Sequence, residues 1–202
     1  KDRFVFKCVL EKEGKLYNAL CLDLDISSYG VTVEEAKANL EEAITLYLEY
    51  AFETNRFEEL VPRPVPPHVM AKYKNMSKKK IGQHAPKFDC EFFEAMTTSL
   101  QGANVYNKKN DKYPALNCKE VVRALEKAGA ELKRQKGGHA IYELHGRTIV
   151  VPVHGKKTVP LGTLFCIIRQ SGLSKEDFYK LVGLTISLNL IDVFKRVIKA
   201  CF

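Results

Sequence analysis

The chain contains no C-x-x-C pair: its six cysteines (Cys8, Cys21, Cys90, Cys118, Cys166 and Cys201) are scattered through 202 residues. That spacing argues against a disulfide framework and a cysteine-based zinc site, and for a reducing compartment. No apolar run reaches the roughly 18 residues that a membrane span requires, and no signal-peptide pattern opens the sequence. No cluster of His, Cys and Asp has metal-ligand spacing, so no metal and no other cofactor is expected. The expected location is cytoplasmic, with no membrane partner.

Charge is plentiful but unevenly placed. Residues 1–60 carry 7 Lys+Arg against 13 Asp+Glu, a net −6; residues 61–202 carry 25 against 11, a net +14, and the total is +8. Such asymmetry suits one part that meets a polyanion and another that imitates or masks one. A hydrophobic content of 46% over this length is enough for one or two real cores.

The sequence predicts an α+β protein of two small domains. Residues 3–10 and 15–22 are rich in β-branched and aromatic side chains and predict two strands across a Glu-Lys-Glu-Gly turn. A third short strand covers 26–29. Thr32, with Glu35 three residues on, is a capping box for a helix near 32–55. Ala36, Leu40, Ala43, Ile44, Tyr47, Leu48 and Ala51 recur at helical spacing along it, and Glu34, Glu35, Glu41, Glu42 and Glu49 take much of the rest. The expected first domain, residues 1–58, is an antiparallel meander closed by one long helix. The Tyr17–Asp25 stretch, Tyr29-Gly30-Val31-Thr32-Val33-Glu34-Glu35-Ala36 and Ala38-Asn39-Leu40-Glu41-Glu42-Ala43-Ile44 together resemble the HicB antitoxin family over about residues 3–55. Val31 stands where that pattern has Asp. The resemblance implies an antitoxin module and a route to a homo-oligomer.

Residues 59–113 are expected to be a partly disordered linker. Residues 61–67, Val-Pro-Arg-Pro-Val-Pro-Pro, predict polyproline II, and Phe92, Phe93, Met96 and Leu100 predict a short helix within 88–100. The lysines of residues 72–80 suit a solvated linker better than a DNA-reading element, which leaves promoter DNA as an open partner.

Residues 114–182 form the second expected domain. Asn117 with Glu120 starts a helix over Val121, Val122, Leu125 and Ala128 that Gly129 ends. Strands follow at 130–136, 139–144 and 147–153, and a helix near 164–170. Ser174 starts a last short helix, and residues 183–202 form an amphipathic extension without an assigned role. The order α-β-β-β-α is that of a double-stranded-RNA-binding-like fold.

Within it, His139 follows the Gly137-Gly138 turn and the cations Lys133, Arg134 and Lys136. A Gly-Gly turn lets a bulky partner approach the backbone. An imidazole among cations suits acid–base work on a polyanion. His154, beside Lys156 and Lys157, is either a second proton carrier or a loop anchor, and His145 is a turn residue.

The segments Glu120–Gly129, Arg134–His139, Val151-Pro152-Val153-His154 and Leu161-Gly162-Thr163-Leu164 resemble, in that order, the HicA (YcfA-like) mRNA interferase toxins over about residues 115–180. Gly138 stands where that family usually has Ser. The resemblance implies a metal-independent endoribonuclease with His139 catalytic, mRNA as substrate, and Lys133, Arg134, Lys136, Lys156 and Lys157 on phosphates. It also implies an antitoxin contact, intramolecular or intermolecular, in which residues 1–55 cover His139. An inactive RNA-binding module and a DNA-binding autoregulator remain alternatives.

Overall fold

A computed structural model describes residues 4–73, 80–84, 89–94, 113–153 and 158–184. Strands β1 (Val5–Glu13), β2 (Leu16–Cys21) and β3 (Ile26–Gly30) form the expected antiparallel meander. Helix α1 (Val33–Glu53) starts at Thr32, whose hydroxyl accepts from Glu35 N, while the Glu35 carboxylate reaches back to Val31 N at 2.6 Å. Glu35 therefore satisfies the amide one residue before the cap. Every apolar residue expected on the inner face of α1 is buried, and Leu46 and Tyr50 join them.

The sheet extends beyond the three strands of the meander. Helix α2 (Phe57–Leu60) and helix α3 (Pro67–Lys72) precede strands β4 (Lys80–His84) and β5 (Asp89–Glu94). Strand β5 pairs parallel with β1, giving a five-stranded sheet of order β3-β2-β1-β5-β4. The expected helix at 88–100 is thus a strand over 89–94. Cys90 and Phe92 are buried on either side of half-buried Glu91, a period of two that completes the free edge of β1. The expected polyproline stretch does not run free either. Arg63 N and Val65 N donate to Asp23 O and Leu22 O, Val65 is buried, and Pro67 opens α3.

The second half follows its expected order: α4 (Cys118–Lys127), β6 (Glu131–Lys136), β7 (His139–Leu144), β8 (Arg147–Pro152), α5 (Leu161–Ser171) and α6 (Lys175–Val182). The strands make an antiparallel sheet β6-β7-β8, consistent with the double-stranded-RNA-binding-like arrangement. Asn117 and Glu120 form the capping box of α4, and Ser174 caps α6. His145, at φ +48°, and Gly146 make the exposed β7–β8 turn.

The two halves share apolar cores. Ile141 and Val150 pack into the cluster under α1, and Tyr29 of β3 packs into the cluster of α4, α5 and the second sheet. No helix among the described residues is long and apolar enough to cross a membrane. The extension expected over 183–202 lies outside the described residues from 185 onward.

Candidate RNA-directed site and its intramolecular cover

His139 opens β7, the central strand of its sheet, and pairs with Lys136 on one side and Pro152 on the other. Its side chain is 0% exposed because the first half of the chain lies over it. Nδ1 is 3.0 Å from Glu42 Oε1, and Nε2 is 2.9 Å from Ser28 Oγ. An ionised carboxylate only accepts, so with Glu42 charged a proton sits on Nδ1, and in the neutral imidazole Nε2 is then the acceptor facing the serine hydroxyl. The same Glu42 Oε1 accepts from Gly138 N at 2.6 Å. Gly137 sits at φ +57°, and a Cβ there would run into the Glu42 carboxylate. The glycine turn thus meets its bulky partner within the chain.

Glu42, Glu49 and Glu53 lie at i, i+7 and i+11 on α1, a spacing that brings them to one helix face. Arg134 pairs with Glu53 and Glu49, and Lys136 Nζ is 2.9 Å from Glu49. Lys133 instead pairs with Glu131 on its own strand at 2.7 Å, an exposed contact that raises its pKa. Three expected site residues (Arg134, Lys136 and His139) therefore meet one acidic helix, and Lys133 stands apart. His154, Lys156 and Lys157 lie outside the described residues.

A second contact lies at the start of α5. Glu13, at the end of β1, accepts from Leu161 N at 2.6 Å and Gly162 N at 3.1 Å. Thr163 Oγ1 donates to Asn18 Oδ1 at 2.7 Å and lies 3.1 Å from Ser27 Oγ. Beyond it, Arg169 pairs with Asp25, and Arg63 Nη1 donates to Thr148 O at 2.7 Å.

Residues 118–173 match the family model described as the HicA toxin of bacterial toxin-antitoxin systems. No curated protein matches the chain. The HicA match covers α4 through α5 and includes His139, Arg134, Lys136 and the α5 start. It stops short of the first half, so the expected likeness of residues 3–55 to HicB has no support from these comparisons. Sequence reasoning placed the acidic and basic faces but missed Ser28, Asn18 and Glu13. Ser28 is a small polar strand residue without a motif, Asn18 belongs to the Tyr17–Asp25 stretch but carries no chemistry of its own there, and Glu13 looks like turn chemistry. Among the described residues, no group of three His, Cys, Asp or Glu side chains could hold a metal, and the five described cysteines are free and buried.

Proposed function

We propose that residues 114–182 form a metal-independent endoribonuclease of mRNA-interferase type, and that residues 1–58 form the antitoxin-like module that holds it inactive. The observation that carries this reading is the seating of both His139 ring nitrogens on groups of the first half, Glu42 and Ser28.

Cleavage without a metal needs a base for the ribose 2′-OH, a donor for the leaving 5′-oxygen, and cations for the charge on the phosphorane. In this reading Nε2 of His139 takes the 2′-OH proton, and the hydroxyl of Ser28 stands where that nucleophile would lie. The 2′-oxygen bonds to phosphorus as the bond to the 5′-oxygen breaks, leaving a 2′,3′-cyclic phosphate. The 5′-oxygen collects its proton from the histidine so charged, or from His154 as a second carrier. Nδ1–H and the Gly138 amide hold a phosphate oxygen in the place of the Glu42 carboxylate. That amide survives the loss of the family's serine hydroxyl. Arg134 and Lys136, freed from Glu49 and Glu53, hold flanking phosphates, with Lys133, Lys156 and Lys157 adding long-range attraction.

The test compares full-length chain with a Glu42→Lys/Glu49→Lys variant on labelled mRNA in EDTA, each with and without His139→Ala. Charge reversal should uncover cleavage that the wild type lacks, and His139→Ala should lower it by about 10²–10⁴-fold. An uncovered variant that binds RNA and leaves it intact would sink the nuclease reading and favour an RNA-binding module.

A further inference from the structure

We propose that the amino end of α5, formed by the Leu161 and Gly162 amides with the Thr163 hydroxyl, is a second phosphate seat for RNA. In the docked chain the carboxylate of Glu13 fills it. This rests on the reading of residues 114–182 as RNA-directed, and it adds a binding site away from His139.

Three observations converge. The first is an anion already in place: Glu13, from the opposite half, spans two successive amides with its two oxygens at 2.6 and 3.1 Å. A phosphate presents a similar pair of oxygens, and the first amides of a helix suit it in geometry and dipole. Pro160, the α5 N-cap, offers no side-chain hydrogen bond, so these donors depend on an acceptor from elsewhere. The second is the close approach itself. A Cβ on Gly162 would come within 2.6 Å of Asn18 Nδ2, and the buried Thr163 hydroxyl beside it bonds Asn18 and Ser27 of the covering half. The third is the continuity with the histidine. Ser27 reaches Thr163 and its neighbour Ser28 reaches His139, so consecutive residues of β3 tie the two places together.

The cover therefore repeats one device twice. Glu42 lies on the Gly138 amide and His139, and Glu13 lies on the Leu161 and Gly162 amides. Both are carboxylates of the acidic half standing where phosphate oxygens would stand, so the first half competes with RNA for both seats.

The probe is a short 2′-O-methyl RNA, whose blocked nucleophile makes binding independent of cleavage. Its affinity for full-length chain is measured by fluorescence anisotropy across a salt series. Glu13→Ala should raise affinity about fivefold and steepen the log–log salt slope by about 0.7, the value of one added single-strand phosphate contact. Adding Leu161→Pro should cancel both changes. Proline is tolerated at the first helical position and deletes only an amide that the helix does not use. Thr163→Val, which removes the hydroxyl, should reduce the gain and serves if the proline variant melts early. An unchanged affinity and slope in Glu13→Ala would overturn the proposal. So would a gain that survives both Leu161→Pro and Thr163→Val, because it would come from loosened docking. The Glu42→Lys/Glu49→Lys cleavage assay separates the two readings. Cleavage there without a Glu13→Ala gain removes the seat alone, and a reversible gain without cleavage keeps the seat and removes the nuclease.

Discussion

Strands β3 and β6 are both edge strands, and their surroundings are opposite. All five residues of β3, Ile-Ser-Ser-Tyr-Gly, are buried, whereas five of the six in β6, Glu-Leu-Lys-Arg-Gln-Lys, are exposed. Strand β3 is small and polar, yet α1 covers it on one side and the HicA-matched half on the other. Strand β6 lies beside a core strand, yet its Arg134 and Lys136 meet the acidic face of α1. An edge strand is an invitation to pair or to be covered, and here one edge has become the joint between two units while the other keeps its cations near the surface. The difference is why β3 carries the fit of the two halves and β6 their electrostatic match.

Changes in β3 should therefore be costly and changes in β6 mild. The largest effect is expected from Tyr29→Ala. Tyr29 is buried in the core of the second half, its hydroxyl is 3.4 Å from Cys118 Sγ, and burial pushes its pKa up. Truncation should cost about 3–5 kcal/mol in urea unfolding, and RNA cleavage should rise as His139 is uncovered.

A paired substitution sharpens the contrast. Ser28→Leu forces two more heavy atoms into a fully buried position and removes the hydroxyl that meets His139 Nε2, a loss of about 2–3 kcal/mol. Gln135→Leu, on exposed β6, should stay within about 0.5 kcal/mol. Comparable losses at the two positions would break the comparison.

A smaller effect is expected for the ion pairs. Arg134→Ala and Lys136→Ala should each lower unfolding free energy by less than about 1 kcal/mol, and 0.5 M salt should shrink that difference, because the pairs are partly exposed and screened.

The smallest effect tests the acidic helix itself. Burial raises the Glu41 pKa against the attraction of Lys37, and Glu41 Oε1 is buried with no partner in reach. A raised carboxyl pKa means the folded state holds the proton more tightly, so the charged form weakens folding above that pKa. Glu41→Gln should stabilise by less than about 1 kcal/mol at neutral pH, and the gain should vanish as pH falls below the ordinary value of about 4.3. A gain that persists at pH 3 would assign it to packing.

Much of the architecture was legible in local chemistry. The helix starts at Thr32, Asn117 and Ser174 each follow from a side chain that caps an amide within three residues. The β6–β7 and β7–β8 turns follow from Gly137-Gly138 and His145-Gly146. His139 and its cations stood out for the same reason, and Glu42 and Glu49 were present in the helical pattern, whereas Glu53 was not singled out. Phe92, Phe93, Met96 and Leu100 satisfy a helical period in sequence. The strand at residues 89–94 depends on β1, more than eighty residues earlier, whose free edge it completes. Residues 61–67 read as linker because proline content reports backbone restriction, whereas Arg63 and Val65 are tied down by hydrogen bonds to residues 23 and 22.

The sequence by itself determined the elements of the first 55 residues and of residues 114–182, the division into an acidic and a basic half, and the histidine placed after a glycine turn among cations. These depend on neighbours a few residues apart, through capping, turn geometry and periodic burial. Only the tertiary structure decided that β5 joins β1, that Glu42 and Ser28 close over His139, and that Glu13 settles on the start of α5. Those contacts join residues 84 to 149 positions apart. Each depends on shape and burial that exist only once both sheets have formed, so no local pattern in the chain records them.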